Sequence, residues 1–398
     1  MINPEDWINE CGVDALNTAA DHYFESIDDY THLFCKPFSD LRETADLLES
    51  LSFLLEGLLL AKGMTVLDFA AGSCWLSRSL NQMQCRTVSV DVSRKALEIG
   101  QELFDSYQMP RKSIAPPEFL HFDGYRIDLD DSSVDRIICN DGFHHVPNQQ
   151  DVLCELFRVL KPGGVVGMSE PGFKHSQTPQ SQYEMREFGV LENDIDVTKI
   201  FNIAQSVGFT DIKIAARCRS FISLSEHQSL LADQSDVKLS ETLMQNMRTI
   251  GKNKVVFFLY KGQPKYDSRF PNHISGKVEL LDARLNNVIP VGKCLEAKVR
   301  ITNVGDSVWL QSGDSDIGVV FIGLHLYDEA GQCKNYDWMR FSIDRQIFPG
   351  ENIVQLLSIA IPRDLKGLHR IAIDLVSESV AWFEQLGHTP AQTRLFNF

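Results

Sequence analysis

The chain has 398 residues, of which 43% are hydrophobic and 23% charged, as in a folded protein with more than one core. Its formal net charge of -16 repels phosphate backbones and argues against a nucleic-acid substrate. Nine cysteines lie scattered without a CxxC pair, so the sequence indicates no metal site and predicts reduced thiols in a cytoplasmic protein.

The first 45 residues are acidic and rich in aromatic side chains, and they lack the pattern of a secretory signal. The apolar run 47–61 follows. It carries Glu49 and Glu56 and is too short to span a membrane, so we interpret it as an amphipathic helix over about 46–61. We therefore expect no membrane span.

Short apolar runs then alternate with helical patterns. The predicted strands are 64–69, 85–90, 118–122, 134–139, 163–170, 210–217 and 254–260. The predicted helices are 74–82, 93–104, 149–160 and 197–207. Because buried strands that alternate with helices form parallel sheets, we predict an α/β domain over 46–262.

The pattern changes after this domain. Residues 263–275 are rich in proline and glycine and predict a linker. Beyond it, apolar residues alternate with period two at 295–301, 322–326 and 371–375, without helical segments between them. This pattern predicts an all-β sandwich over 276–398.

The opening strand of the α/β domain carries the first functional signal. It ends at Asp68, and the turn 70–73 leads into the amino end of a helix, where backbone N–H groups favour a polar or anionic ligand. A dinucleotide fingerprint requires G-x-G-x-x-G, but this turn has only Gly72. A nicotinamide or flavin cofactor is therefore disfavoured.

Polar residues also follow three further strands. Asp91 ends the second strand and suits the two hydroxyl groups of a ribose, while Asp123 follows the third and suits an adenine amino group. Asn140 and Asp141 follow the fourth strand. Since the carboxyl ends of parallel strands share one edge of a sheet, these residues together predict a nucleoside cofactor.

These segments resemble the class I S-adenosylmethionine-dependent methyltransferases over roughly residues 45–215. The matching segments are "VLDFAAG", "VDVS", "FDG", "SSVDRIICNDGFHHV" and "ELFRVLKPGGVVGMSEPG". The resemblance implies a Rossmann-like seven-stranded sheet, with an antiparallel strand at 254–260, and S-adenosyl-L-methionine as the cofactor. The cofactor-binding residues that it indicates are Asp68, Ala70, Gly72, Ser73, Cys74, Asp91, Val92, Asp123, Gly124, Asn140 and Asp141.

Two positions of the loop depart from the family pattern. Ala70 and Cys74 stand where the family prefers glycine. Because a positive φ is costly for residues with a Cβ atom, we expect a reshaped loop.

The acceptor side is less defined. A hydroxyl acceptor needs a base, and His144 and His145, just past the fourth strand, are the candidates. The family places its acceptor pocket in the segment that corresponds to 173–200, which makes Tyr183, Arg186 and Glu187 the substrate-side candidates. N-terminal helices cover the cofactor in this family, so the resemblance implies that segment 1–45 forms a lid through Tyr23, Tyr30 and Phe34.

The segments "VRITNVGDSVWL" and "IAIDLVSESVAWF" resemble immunoglobulin-like modules of bacterial polysaccharide-modifying proteins. This resemblance makes the sandwich a candidate glycan-binding module, in which Trp338 and Tyr336 stack on a sugar. We accordingly expect O-methylation of a sugar, a nucleotide-sugar or a glycan end. Methylation of another small metabolite, and a non-catalytic glycan-binding scaffold, remain open, as does the oligomeric state, a homodimer included.

Overall fold

The computed structural model of the protein describes residues 1–106, 115–232, 237–288 and 292–398. They divide into two units, one of Met1–Leu60 and Met64–Pro264 and the other of Ala61–Gly63 and Lys265–Phe398. Within the described ranges, every helix is too short or too polar to cross a bilayer. All nine cysteines are free thiols.

The first unit contains the helices and one sheet. Its helices are α1 (Pro4–Cys11), α2 (Val13–Glu25), α3 (Thr31–Phe34), α4 (Leu41–Gly57), α5 (Trp75–Gln82), α6 (Arg94–Ser106), α7 (Gln149–Val159), α8 (Pro179–Glu187), α9 (Val197–Val207), α10 (Leu224–Leu231) and α11 (Val237–Asn253). Its strands are β1 (Thr65–Phe69), β2 (Arg86–Asp91), β3 (Glu118–His121), β4 (Val134–Asn140), β5 (Leu160–Pro171), β6 (Asp211–Ile214) and β7 (Lys254–Tyr260).

The seven strands lie in the order β3-β2-β1-β4-β5-β7-β6. The pairs from β3 to β5 are parallel, and β7 is antiparallel to both of its neighbours. The predicted Rossmann-like sheet of the α/β domain is therefore confirmed. Its order brings the carboxyl ends of β1, β2 and β4 together at one edge, where polar side chains can share a ligand.

Helix α4 begins earlier than the apolar pattern predicts. The side chain of Asp40 accepts a hydrogen bond from the N–H of Arg42 at 2.7 Å and so caps the helix before residue 46. By contrast, α9 and β7 have the predicted bounds, because their apolar residues face the core.

The N-terminal segment is helical and is fixed to the rest of the first unit. The backbone of Ile2 exchanges two hydrogen bonds with the side chain of Gln182 in α8, at 2.7 and 2.9 Å. Asp21 of α2 accepts bonds from Ser93 Oγ at 2.7 Å and from the N–H of Lys95 at 3.0 Å. These bonds hold α2 at the start of α6, next to the carboxyl ends of the strands.

The second unit contains strands β8 (Gly276–Val288), β9 (Gly292–Asn303), β10 (Val320–Asp328), β11 (Cys333–Ser342), β12 (Asn352–Ala360), β13 (Leu368–Ser377), β14 (Ala381–Trp382), β15 (Ala391–Gln392) and β16 (Phe396–Asn397). One sheet has the order β12-β9-β8, and the other has β11-β10-β13-β14, with β15 and β16 also paired to β13. All these pairs are antiparallel. The all-β region predicted from the period-two pattern is confirmed.

The segment 263–275, predicted as a linker, is packed within the second unit from Lys265 onward. Asp267 forms a β-bridge with Val308, and Ser268 Oγ donates to the carbonyl of Gly318 at 2.5 Å. Ile274 is buried in the core of this unit. Proline and glycine here shape an irregular but packed segment, which composition alone does not distinguish from a linker.

Candidate active site

A cavity of about 250 Å³ lies at the carboxyl ends of β1, β2 and β4. Nine of the residues predicted to form the site line it: Ala70, Gly72, Ser73, Asp91, Val92, Gly124, Asn140, Asp141 and His145. Most of the remaining wall is apolar and includes Tyr23, Phe24, Leu33, Leu47, Phe69, Trp75, Phe122, Val146, Val152 and Val190. The carboxyl edge thus forms one site with polar groups at defined positions.

The loop after β1 keeps left-handed backbone at three positions, with φ of 53° at Ala70, 51° at Gly72 and 57° at Cys74. For alanine and cysteine this conformation costs roughly 1–2 kcal/mol each. Asp91 Oδ2 offsets part of this cost, because it accepts a hydrogen bond from the N–H of Gly72 at 2.8 Å. The loop therefore tolerates two residues with Cβ atoms where the family prefers glycine.

Asp68 is buried behind this loop, where it binds α5, and it does not line the cavity. Its Oδ2 accepts hydrogen bonds from the N–H of Ser77 at 3.0 Å and from Ser77 Oγ at 2.7 Å. Burial raises the pKa of Asp68 to about 7. The side chain therefore anchors the first turn of α5, where sequence analysis expected a cofactor contact. Cys74 likewise lies behind the loop, buried against α6.

Asp91 lies at the end of β2 and does line the cavity. Besides the bond from Gly72, its Oδ1 accepts the N–H of Ser93 at 2.8 Å. Burial raises the pKa of Asp91 to about 6, although these two N–H groups lower it. A carboxylate has about four lone-pair positions, so further hydroxyl donors can still bind to it.

Asp123 is exposed and lies outside the cavity. Its Oδ1 accepts the N–H groups of Tyr125 and Arg126, both at 2.8 Å, and these bonds lower its pKa. The neighbours of Asp123 in the chain, Phe122 and Gly124, line the cavity instead. The segment lies where it was predicted, but the carboxylate of Asp123 points away from the cavity and binds the backbone of the turn that follows it.

A buried carboxylate shapes the turn after β4. Glu170, near the end of β5, accepts the N–H of Gly142 at 3.1 Å and that of Phe143 at 2.9 Å through Oε1. Its Oε2 accepts Nδ1–H of His144 at 2.7 Å. Burial would lower the pKa of His144, but this bond and the nearby Glu192 raise it above its ordinary value. His144 is thus held behind the cavity wall.

His145 lines the cavity, and 37% of its side chain is exposed. Its Nδ1 lies 2.6 Å from the carbonyl oxygen of Leu191. A carbonyl only accepts, so Nδ1 carries the proton and the Nε2 lone pair is available. Burial and the neighbouring His144 lower the pKa of His145 to about 4, so the ring is neutral at pH 7. Of the two histidines, His145 is the one that can act as a base.

The substrate-side candidates lie elsewhere. Tyr183, Arg186 and Glu187 are on the exposed side of α8, and none of them lines the cavity. Glu184, on the same helix, does. Adjacent residues of a helix point about 100° apart, so Glu184 can face the cavity while the three candidates on α8 face solvent.

Two clusters have the spacing of metal ligands among the described residues. His144, His145 and Glu192 place one donor atom each within 4.8 Å of one another, and so do His325, Asp374 and Glu384 in the second unit. In the first cluster, His175 donates to Glu192 at 2.7 Å. Burial alone would raise the pKa of Glu192, but this bond and the neighbouring His144 and His145 lower it to about 2. Hydrogen bonds to Glu170 and to the Leu191 carbonyl fix the two Nδ1 atoms there and leave the two Nε2 atoms as the possible ligand atoms.

The loops that follow β1 and β4 approach each other closely, and this contact gives a stability prediction. A Cβ atom on Gly142 would lie 2.5 Å from the Cβ of Ala70. We expect Gly142→Ala to lower the free energy of unfolding by about 1–3 kcal/mol, as overpacking does, and Ala70→Gly to restore most of it in the double variant. Urea denaturation measures both changes.

The matched control for this prediction is Gly251→Ala in α11, where a Cβ would meet nothing within 4 Å. This variant should be as stable as the parent or slightly more stable, because alanine favours a helix. A double variant that is as unstable as Gly142→Ala would show that Ala70 is not the obstructing group.

Comparison with known proteins shows what the region around this site is similar to. The family model described as a methyltransferase domain matches residues 67–168. An uncharacterized methyltransferase of Schizosaccharomyces pombe is 28% identical over 112 residues, which is 26% of this chain and 37% of that protein. A demethylmenaquinone methyltransferase of Listeria welshimeri is 27% identical over 137 residues, or 32% of this chain and 56% of that protein. The chain thus spans 37% to 56% of the length of these curated relatives.

Among solved structures, the phosphoethanolamine N-methyltransferase 2 of Haemonchus contortus in complex with S-adenosyl-L-methionine matches with a TM-score of 0.40 and 14% identity. The match covers 67% of this chain and 61% of that one. The match to this model and the order of the sheet together indicate that residues 67–168 carry a methyltransferase domain, with S-adenosyl-L-methionine as its cofactor.

Proposed function

We propose that the protein transfers a methyl group from S-adenosyl-L-methionine to a hydroxyl group of a small, largely apolar acceptor. The observation that carries this proposal is that the carboxylate of Asp91 and the neutral imidazole of His145 line one cavity. The first group suits the nucleoside and the second suits a hydroxyl that loses its proton.

The residues of the cavity fit the cofactor. Asp91 has lone pairs left for the ribose hydroxyls after its bonds to Gly72 and Ser93. Val92 and Phe122 provide apolar surface beside it for the adenine, and Gly124 keeps the backbone close, with a φ of 93°. When bound, the cofactor supplies an electrophilic methyl group on a sulfonium centre.

The protein's own contribution is to position the acceptor and to take a proton. His145 is oriented by its bond to the Leu191 carbonyl, with Nε2 as the accepting atom. An oxygen that is being methylated becomes a strongly acidic oxonium, so even an imidazole of pKa about 4 can take its proton. The largely apolar wall lowers the local dielectric constant, which strengthens the electrostatic interactions inside.

The lining of the cavity favours an apolar acceptor over a sugar. Tyr23, Phe24, Leu33 and Leu47 form the side contributed by the N-terminal segment and α4. These side chains offer surface for an aromatic or aliphatic body and few of the hydrogen bonds that a sugar requires. The Listeria relatives are named for demethylmenaquinone, which agrees with a small, apolar acceptor here.

A sugar acceptor, with an immunoglobulin-like glycan-binding module over 276–398, is the second candidate. Tyr336 is partly exposed, its ring lies 4.2 Å from that of buried His325, and Trp382 adjoins both. An exposed ring of this kind can stack on a sugar. Trp338, the other predicted stacking residue, is instead half-buried against the core. The cytoplasmic location and the homodimer stay predictions.

A labelled-methyl transfer assay tests these alternatives. Protein, methyl-labelled S-adenosyl-L-methionine and single acceptors are mixed, with catechol and reduced menadione as apolar probes and glucose and UDP-glucose as sugar probes. Transfer to the first pair alone supports the proposal, and transfer to the second pair alone supports the sugar candidate. Tight binding of S-adenosyl-L-homocysteine without transfer to any probe or to a cell extract would favour the non-catalytic scaffold.

The pKa of Asp91 predicts how cofactor affinity depends on pH. A raised pKa means that the carboxyl is protonated as pH falls through about 6, and it then loses acceptor capacity toward ribose. We therefore expect the affinity for S-adenosyl-L-homocysteine to be constant above pH 7 and to fall below pH 6. Isothermal titration between pH 5 and 8 measures it, and Asp91→Asn should remove this fall. A fall that persists in the variant would assign it to another group.

A further inference from the structure

Lys36 is a cation on the cavity wall without a protein partner. It follows α3, is half-buried, and lines the cavity together with Leu33 of the same segment. Among the described residues, no carboxylate or other acceptor lies within hydrogen-bond or ion-pair distance of its Nζ atom. By comparison, Lys254 near the same edge donates to Asp141 at 2.7 Å.

The acidic groups that share the cavity are already engaged by other donors. Asp91 accepts two backbone N–H groups, Asp141 binds Lys254, and Glu184 accepts from Gln180 at 2.6 Å. Partial burial lowers the pKa of Lys36, and Lys254 adds to this, while Asp141 and Glu43 act in the opposite direction. An ammonium in this position has lost water without gaining a protein acceptor, which is costly unless a ligand supplies one.

We propose that Lys36 binds an anionic oxygen of the ligand, that of a carboxylate. This inference rests on the proposed function and specifies that the ligand carries a negatively charged group, which Lys36 recognises. Two sources can supply this oxygen, the amino-acid carboxylate of the cofactor and an acidic acceptor. Lys36 lines the cavity whose wall is largely apolar, and a charge pair is stronger there than in water.

The first arm of the test concerns the cofactor. The affinities of S-adenosyl-L-homocysteine and of 5′-methylthioadenosine, which lacks the amino-acid part, are measured by isothermal titration for the parent protein, Lys36→Met and Lys36→Arg. If the cofactor supplies the carboxylate, Lys36→Met weakens the first ligand about tenfold or more and leaves the second unchanged. Lys36→Arg, which keeps the charge, should retain most of the affinity.

The second arm concerns the acceptor. Benzoate and benzyl alcohol are titrated into the same variants, with and without S-adenosyl-L-homocysteine. If an acidic acceptor is the source, Lys36→Met weakens benzoate about tenfold or more and leaves benzyl alcohol and both nucleosides unchanged. Lys199→Met is the control, since it removes the same charge from an exposed position on α9, and it should change none of these affinities.

The outcomes separate the two proposals. Lys36→Met protein that binds S-adenosyl-L-homocysteine and benzoate as the parent does would overturn the role of Lys36, as would equal losses in Lys199→Met. A parent protein that binds neither nucleoside overturns the proposed function instead. Benzoate binding to the ligand-free protein then still decides whether Lys36 recognises an anion.

Discussion

Replacing Asp91 by asparagine should weaken the binding of S-adenosyl-L-homocysteine by about 1.5–3 kcal/mol, the range of hydrogen bonds to a charged group. Asparagine has nearly the same volume, and its one oxygen can still accept the N–H of Gly72 or of Ser93. It loses the charge and half of the acceptor positions that the ribose hydroxyls would use. Isothermal titration at pH 7.5, where Asp91 is ionised, measures the change.

Asp123→Asn is the matched control, because Asp123 was predicted from the same pattern but lies outside the cavity. Its carboxylate is engaged with the backbone of Tyr125 and Arg126. We expect its substitution to change the affinity less than about threefold, as for most exposed positions. Equal losses in the two variants would mean that Asp123 turns inward when the nucleoside binds, or that both substitutions act by disturbing the structure of the site.

The three carboxylates that follow the first three strands show how far sequence reasoning reaches. Alternation of apolar runs and helices places a residue at the end of a strand, and this much was predicted for Asp68, Asp91 and Asp123 alike. The direction of each side chain depends on the next few backbone angles. Asp68 is drawn to the first turn of α5, and Asp123 to its own turn, because unpaired N–H groups lie close by.

The pair of adjacent histidines shows the same limit. Both are candidates for the base from the sequence because they follow β4, but neighbouring residues in a tight helical turn point in different directions. The turn Phe143–His145 directs His144 toward buried Glu170 and leaves His145 on the cavity wall. Glu170 comes 26 residues after His144, so only the folded sheet brings it near.

Parts of the wall that come from distant segments were missed. Lys36 belongs to a segment in which only aromatic residues were considered, and Glu184 was passed over for its neighbours on α8. Helices α10 and α11 were not predicted at all. Neither has a strong apolar stripe facing the core, and the described part of α11 buries only Leu239. Periodicity is a weak signal for helices that remain largely exposed.

His145→Gln should lower kcat by about 10²–10⁴, the usual contribution of a general base, with an acceptor that the transfer assay identifies. Glutamine fills similar space, but its amide has almost no basicity. Since His145 has a pKa of about 4, protonation removes the base only well below neutral pH. The parent kcat at saturating cofactor should therefore stay level from pH 8 to about 5 and fall below that, and the variant should lack this acid limb.

His175→Gln is the control for this prediction, because His175 donates to Glu192, the carboxylate next to His145, without lining the cavity. It should change kcat less than about threefold and leave the acid limb in place. A loss of kcat in His175→Gln as large as that in His145→Gln would mean that the hydrogen-bonded cluster acts as structural support, with the proton leaving to another acceptor. Unchanged affinity for S-adenosyl-L-homocysteine in both variants separates a lost base from a distorted cofactor site, since proton removal contributes to the rate and not to nucleoside binding.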